Sequence, residues 1–275
     1  MCGIVGLHSQ NKIDIQKAIA KMNRIQTHRG PDSYGEYINP SSGVALAMRR
    51  LSIIDIESGS QPLISEDKNF ILVYNGEIYN APELRLELEN AGEVFITKHS
   101  DTEVLFKILI REGIQGLKKL NGMFAFAFYN IKENKIIIGR DSLGIKPLYY
   151  IFQNKDFYFS SELKSFNKKL KNKINKQSLF NYLSLMYVPG QDSILKNIKK
   201  LSPGSVIIYD TKKSLIKIEK FTEVVFNKKN ILKNKKIENL IFDNFISSVE
   251  RWSYSDVPIA CALSGGLDSS SILGA

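Results

Sequence analysis

Removal of the initiator methionine would leave Cys2 with a thiol and a free α-amino group on the same residue, so that nucleophile and base share a single amino acid. A thiol of pKa near about 8.5 is only partly thiolate at neutral pH, and an α-amine of pKa about 7.7 to 8.0 can take its proton. The small Cys2 side chain permits that removal. Three further clusters hold polar residues that a core would not choose: His28-Arg29-Gly30-Pro31-Asp32, Arg49-Arg50-Leu51-Ser52-Ile53-Ile54-Asp55 and Asn75-Gly76-Glu77-Ile78-Tyr79-Asn80. Read singly, each is turn chemistry or a surface ion pair. His28 offers an alternative base for the Cys2 thiol. Near the end stands Ser264-Gly265-Gly266-Leu267-Asp268-Ser269-Ser270. Serine hydroxyls and glycine N–H groups at the start of a helix make a phosphate cradle, although the same letters also write a plain strand-to-helix turn. No Gly-Lys-Ser/Thr follows, so this is not a Walker A loop.

The elements that must position these residues are mostly short strands. Residues 3–7, 44–48, 70–74, 123–129, 135–139, 148–152 and 157–160 are strand candidates separated by Asn-, Gly- and Asp-bearing turns. A helix over 13–25 places Ile15, Ala18, Ile19, Met22 and Ile25 on one face. Pro82 suits the first turn of a second helix, and Ser100-Asp101-Thr102-Glu103 matches a capping box opening a third, which puts Asp101 at a helix N-terminus. A helix over about 177–186 and a strand over 205–209 follow. Residues 210–236 are polar and lysine-rich and read as a linker. A new unit then opens with a helical stripe of Leu240, Ile241, Phe245 and Val249, and an apolar strand over 257–263 runs into the Ser264 loop.

Composition sets bounds on all of this. The 275 residues are 43% hydrophobic and 24% charged, enough for one large domain or two smaller ones. Two cysteines and no leader-like opening argue against secretion and a disulfide framework, and point to the cytoplasm. The apolar runs are too short to span a bilayer. The net charge of +10 lies in the second part: residues 1–160 carry 19 Lys+Arg against 18 Asp+Glu, and 161–275 carry 19 against 10. The lysine runs at 168–173 and 233–236 lack regularly interleaved aromatics, and are read as solvated loops, not a nucleic-acid footprint.

Taken together, Cys2-Gly-Ile-Val-Gly, His28-Arg-Gly-Pro-Asp, Asn75-Gly-Glu-Ile-Tyr-Asn, Ser100-Asp-Thr-Glu, Asn121-Gly-Met-Phe-Ala-Phe and Gly139-Arg-Asp-Ser-Leu-Gly-Ile-Lys-Pro-Leu, in this order, resemble the glutaminase domain of the class II (N-terminal nucleophile) glutamine amidotransferases, and most closely the glutamine-hydrolysing asparagine synthetases. The resemblance implies that Cys2 attacks the side-chain amide of glutamine to give a thioester and ammonia, with the Asn75 amide and the Gly76 N–H as oxyanion hole. It implies that Arg50 receives the substrate α-carboxylate and Asp101 its α-ammonium, which suits a zwitterion needing one cation and one anion at separate places. Leu51, Ser52, Ile53, Ile54 and Glu77 would complete the pocket; Arg49 is read as an exposed neighbour. In this family the histidine corresponding to His28 belongs to a structural loop. The Ser264 loop resembles the PP-loop of ATP pyrophosphatases, with Ser264, Gly265, Gly266 and Ser269 on the pyrophosphate of ATP, Leu263 at the adenosine end and Asp268 near Mg²⁺.

The expected architecture is therefore α+β: a four-layer αββα sandwich of N-terminal nucleophile hydrolases over 2–207, a linker over 208–236, and the beginning of an α/β ATP-pyrophosphatase domain over 237–275. The parent activity implied is ATP-dependent asparagine synthesis, with glutamine, aspartate and ATP as substrates, Mg²⁺ as cofactor and ammonia passing internally. The glutaminase step would need neither cofactor nor metal. No nucleic-acid or membrane partner is expected, and a homodimer stays open. Ending at Ala275, the chain is expected to be a fragment or a truncated reading frame that supplies only the glutaminase half, its lone 257–263 strand having little to bury against. Two rivals are a class II amidotransferase with a sugar- or β-lactam-type acceptor and a truncated non-enzymatic binding module.

Overall fold

Two six-stranded sheets stack face to face, and helices cover both outer surfaces. The computed structural model describes residues 1–11, 14–166, 173–223 and 234–275. The first sheet runs in the order β10 (Lys199–Lys200), β8 (Tyr149–Gln153), β9 (Asp156–Ser160), β1 (Gly3–His8), β3 (Val44–Arg50), β2 (Ser33–Asn39). The second runs β12 (Leu215–Lys220), β11 (Ser205–Asp210), β7 (Lys135–Arg140), β6 (Gly122–Asn130), β5 (Phe70–Ile78), β4 (Leu63–Ile64). The strand pairs of both sheets are antiparallel, with Cys2 entering directly into β1, whose Gly3 faces Arg49 of β3.

Side chains alternate across each strand, and that alternation sorts the core into three layers. Leu46 and Met48 of β3 meet Ile71 and Val73 of β5 and Ala125, Ala127 and Tyr129 of β6 between the sheets. On the outer face of the second sheet, Leu72, Tyr74 and Phe126 meet Leu84 and Leu88 of α2 (Ala81–Asn90) and Leu105 and Ile108 of α3 (Asp101–Glu112). On the outer face of the first, Val5, Leu7, Ala45 and Ala47 meet Ile15, Ile19 and Met22 of α1 (Ile15–Arg24). The result is the expected αββα sandwich. A strand buried on both faces needs apolar side chains in both directions, which is why 123–129 reads as an unbroken apolar run.

The structure departs from the sequence reading at several places, the two-residue strands β4 and β10 among them. Residues 215–220, taken as linker, form β12, the edge strand of the second sheet, paired residue by residue with β11. Its lysines and glutamate are the charges that keep an exposed edge from pairing with another chain, and they make it read as solvated loop. Strand β2 was not anticipated, for the same reason: it is a polar edge strand with one face in solvent. The capping box does not form. Ser100 makes no side-chain cap, and the buried Glu103 carboxylate instead receives the N–H groups of Ile96 and Thr97 and the Thr97 hydroxyl. Residues 257–263 form no strand, since among the described residues no neighbouring strand offers them a ladder.

Helix α4 (Lys176–Leu185) appears where expected, with Pro82 in the first turn of α2. Helices α5 (Asn234–Trp252) and α6 (Leu267–Gly274) flank the 253–266 segment, and the apolar stripe of α5 is exposed at Leu240 and Ile241. Most of the lysine run at 168–173 and the linker residues 224–233 lie outside the described residues. Among the described residues no helix is long and apolar enough to cross a membrane.

Candidate active site

Strand β1 delivers the half-buried Cys2 to the end of the first sheet, where a cavity opens between the sheets. Its lining joins Met1 and Cys2 to Arg50, Leu51, Ile53 and Ile54, to Asn75, Gly76 and Glu77 at the end of β5, and to Asp101 at the start of α3. All of the residues expected in the glutamine site are there except Ser52. The Ser52 N–H donates instead to Asp32 at 2.8 Å, tying the His28–Asp32 turn to the cavity wall.

The Cys2 sulfur receives the Leu51 N–H at 3.4 Å and lies 3.6 Å from the Leu51 carbonyl. Burial pushes its thiol above the ordinary value, more than the Leu51 N–H and nearby cations lower it. Such a thiol is protonated at neutral pH and needs a base. Burial also pulls the Met1 α-amine below its usual value. The Cys2 carbonyl is fixed by Arg29 Nε at 2.9 Å, and Arg29 is held in turn by Glu162. His28 does not line the cavity. It is half exposed and paired with Glu162 at 2.8 Å.

Arg50 is the last residue of β3 and almost fully buried. Its Nη2 donates to the carbonyls of Ile54 (3.0 Å) and Asp55 (2.8 Å), and its Nη1 to that of Ile56 (3.2 Å). A guanidinium has five N–H donors, so part of the fork stays available for a carboxylate. A Cβ at Gly59 would come within 2.5 Å of Nη2, so glycine is what lets the guanidinium lie there.

Across the cavity, Asn75 is buried with its Nδ2 unpartnered among the described residues, and so is Glu77 Oε1. Gly76 is required by the sheet itself, because a Cβ there would sit 2.4 Å from the Met123 carbonyl of β6. Asp101 accepts the Tyr74 hydroxyl at 2.8 Å and the Ile78 N–H at 3.0 Å. Burial pushes its pKa up against those bonds. Burial, and then the charge of Asp101, raise Glu77 to about 7. Two carboxyl groups that resist ionisation, with an oxygen left unpartnered, form a site that gains from an incoming cation. Arg50 and these carboxyls in one cavity lining suit a zwitterionic amino acid, and the unpartnered Asn75 Nδ2 adds a donor to the same lining.

Beyond Met1, six lining residues were not anticipated: Gly59, Gln61, Tyr74, Thr102, Met123 and Lys146. Gln61 receives the Tyr74 N–H through Oε1 at 2.7 Å, and its Nε2 reaches Thr102 Oγ1. Lys146 is 4% exposed, and burial lowers its ammonium pKa. The Gly139–Leu148 motif contained it, and its delivery is explained by two neighbours. Buried Asp141 accepts the N–H groups of Phe124, Leu143, Ile145 and Lys146, while Arg140 donates to the carbonyls of Lys146, Leu201 and Gly144.

The Ser264 loop lies outside this cavity and is exposed except at Ser269, which is partly buried. Gly265 holds φ 79°, and Gly266 is the N-cap of α6. The Ser264 and Ser269 hydroxyls lie 3.0 Å apart, Ser269 Oγ receives the Ser264 N–H and donates to the Gly266 carbonyl, and Ser264 Oγ receives the Gly266 N–H. Its donor set, N–H groups and hydroxyls at a helix start, fits a phosphate. For Mg²⁺ the loop supplies one carboxylate, Asp268, and among the described residues no group of three or more His, Cys, Asp or Glu could hold a metal.

A glutamine amidotransferase domain family matches residues 1–222, and an asparagine synthase family matches 241–275. The first match runs past the expected boundary at 207 and takes in β12. The chain is 39% identical over 283 residues to asparagine synthetase (glutamine-hydrolyzing) 1 of Bacillus subtilis, covering 99% of this chain and 43% of that protein. It is 36% identical over 302 residues to a putative asparagine synthetase (glutamine-hydrolyzing) 2 of Methanocaldococcus jannaschii, covering all of this chain and 56% of that one. The chain thus spans about half the length of these relatives. Among solved structures, glutamine phosphoribosylpyrophosphate amidotransferase from B. subtilis shares the fold, with a TM-score of 0.59 at 20% identity over 82% of this chain and 50% of that one. With 222 of its 275 residues inside the domain match, the chain belongs to the glutamine amidotransferase family.

Proposed function

We propose that this chain hydrolyses glutamine to glutamate and ammonia through a thioester on Cys2, as the ammonia-producing half of a glutamine-dependent asparagine synthetase. One observation carries the reading: the Cys2 sulfur opens into a cavity that also gathers the unpartnered Asn75 Nδ2, the Arg50 fork and the Asp101 and Glu77 carboxyls. Once Met1 is removed, the Cys2 amine takes the thiol proton as sulfur attacks the side-chain carboxamide. Charge then appears on the amide oxygen, where Asn75 Nδ2 and the Gly76 N–H donate to it. The ammonium of Cys2 returns its proton to the leaving nitrogen, and ammonia departs. Water attacks the thioester with the same amine as base, and glutamate leaves as the thiol reforms. Arg50 binds the α-carboxylate, and Asp101 with Glu77 the α-ammonium. Burial lowers the pKa of the Met1 amine, and the same effect on a Cys2 amine would leave more of it neutral, and so able to act as a base, near neutral pH.

The acceptor proposed is aspartate, activated by ATP, because the relatives matched over the full chain bear asparagine synthetase names. The Ser264, Gly265, Gly266 and Ser269 groups would hold the pyrophosphate, Leu263 would flank the adenosine, and Asp268 would add a carboxylate to a Mg²⁺ carried mainly by phosphate oxygens. These are small soluble substrates, which supports a cytoplasmic setting without nucleic-acid or membrane partners. Glutamate release from glutamine, assayed with the wild-type chain and with Cys2→Ala, tests the reading together with mass spectrometry of the N-terminus. No release from a chain that begins at Cys2 refutes it, as does full release by Cys2→Ala.

A further inference from the structure

The segment between α5 and the Ser264 loop is tied to the wall of the cavity. Asp256 grips that wall with backbone and side chain together. Its N–H donates to the Ile53 carbonyl at 3.0 Å, its Oδ2 accepts the Asp55 N–H at 2.7 Å, and the same oxygen lies 2.7 Å from Nε2 of His99. The His99 N–H donates to Asp55 Oδ2 at 3.0 Å. Asp55 is fully enclosed and holds φ 48°, a left-handed backbone that a non-glycine residue keeps only when its surroundings impose it. The carbonyls beside it are the ones that receive the Arg50 guanidinium. A second contact comes from the same part of the chain, where the Trp252 ring stacks on Tyr79 at 5.1 Å between centroids.

We propose that Asp256 is a positioning residue for glutamine recognition: by pinning residues 53–55 it holds the carbonyls that aim Arg50 at the substrate α-carboxylate. The proposal rests on the cavity being the glutamine site. A guanidinium is oriented only as well as the acceptors on its other edge are held. Those acceptors sit on a loop outside both sheets, so the strand ladders do not fix them. An exposed ion pair alone contributes little. Here two of the three ties go to backbone groups of the wall itself. A residue at the entrance to the second unit thereby belongs to the substrate-binding machinery of the first.

The test is the split between KM and kcat for glutamine in the full chain. Asp256→Ala raises KM about tenfold, equivalent to about 1.4 kcal/mol, and leaves kcat within about twofold, because Cys2 and Asn75 are untouched. Asp256→Asn keeps an oxygen for the Asp55 N–H and restores KM to within about threefold of wild type. His99→Ala removes one tie, leaves both backbone contacts, and raises KM about threefold. An Asp256→Ala KM within twofold of wild type overturns the proposal, as does a fall in kcat at constant KM or no rescue by Asp256→Asn. Equilibrium binding of glutamine to a Cys2→Ala chain, with and without Asp256→Ala, needs no turnover. Tenfold weaker binding in the double variant supports the positioning role even where the wild-type chain proves inactive, and equal binding overturns it even where the wild type hydrolyses glutamine.

Discussion

The Cys2 cavity and the Ser264 loop are built from similar short polar motifs, yet they reach very different physical states. Around Cys2, the motif residues converge from both sheets and α3 into a buried site in which each side chain has few orientations left. Arg50 is held by three carbonyls, Asp101 by a hydroxyl and an N–H, and the unpartnered Asn75 amide is trapped beneath the surface. In the Ser264 loop the serines bond mainly to each other and to the loop's own backbone, and every residue from 257 to 275 except Asp256's near neighbours and Ser269 is exposed. The contrast shows that a motif supplies donors, whereas pre-organisation comes from a scaffold that excludes water and fixes the second layer of contacts.

The sharpest way to break the comparison is Cys2→Ala. Glutamate release should fall by on the order of 10⁴ or more, measured by coupled assay, with the fold intact by circular dichroism. Asn75→Ala should lower kcat by on the order of 10²–10³ with little change in KM, since its amide meets charge only in the tetrahedral state. Arg50→Lys should raise KM for glutamine by on the order of 10², because an ammonium cannot serve three carbonyls and a carboxylate as a planar fork does.

The next effect is one of pH. With Glu77 raised to about 7 in the folded chain, against an ordinary carboxyl value of about 4.5, the folded state holds a proton that the unfolded chain has already released. Stability of the ligand-free protein should therefore fall as pH rises between those two values, and Glu77→Gln should flatten that slope in thermal melts. Glutamine, bringing an ammonium to the ionised form, should bind more weakly below about pH 7 in the wild type. The smallest effect belongs to the other region: Cys261→Ser should leave glutamate release within about twofold. Cys261 is exposed and Cys2 half-buried, so alkylation should reach Cys261 first, and bound glutamine should slow labelling of Cys2 alone.

Much of the sandwich was legible because strands buried on both faces announce themselves as apolar runs, helix α1 as a periodic stripe, and α2 through Pro82 in its first turn. The parts that were missed share a cause. Strands β2 and β12 are polar edges, and an edge strand looks like a loop when read along the chain. The capping box at Ser100 failed because Glu103 found a better set of donors in residues 96 and 97, a choice made by the fold of a neighbouring loop. Residues 257–263 have the composition of a strand, but composition does not supply a partner.

What the sequence determined by itself is the inventory of groups: a thiol directly behind the initiator methionine, an amide and a glycine in adjacent positions, and an arginine and an acid that the family resemblance, not their spacing, assigns to the two charges of an amino acid. Tertiary structure alone decided which residues share the cavity. It brought in Gln61, Thr102, Met123 and Lys146, sent the Ser52 N–H to Asp32, paired His28 with Glu162 away from the thiol, and tied Asp256 to residues 53–55. These partners lie tens to hundreds of positions apart, and only the register of the sheets and the packing of loops against them bring such separations to hydrogen-bonding distance.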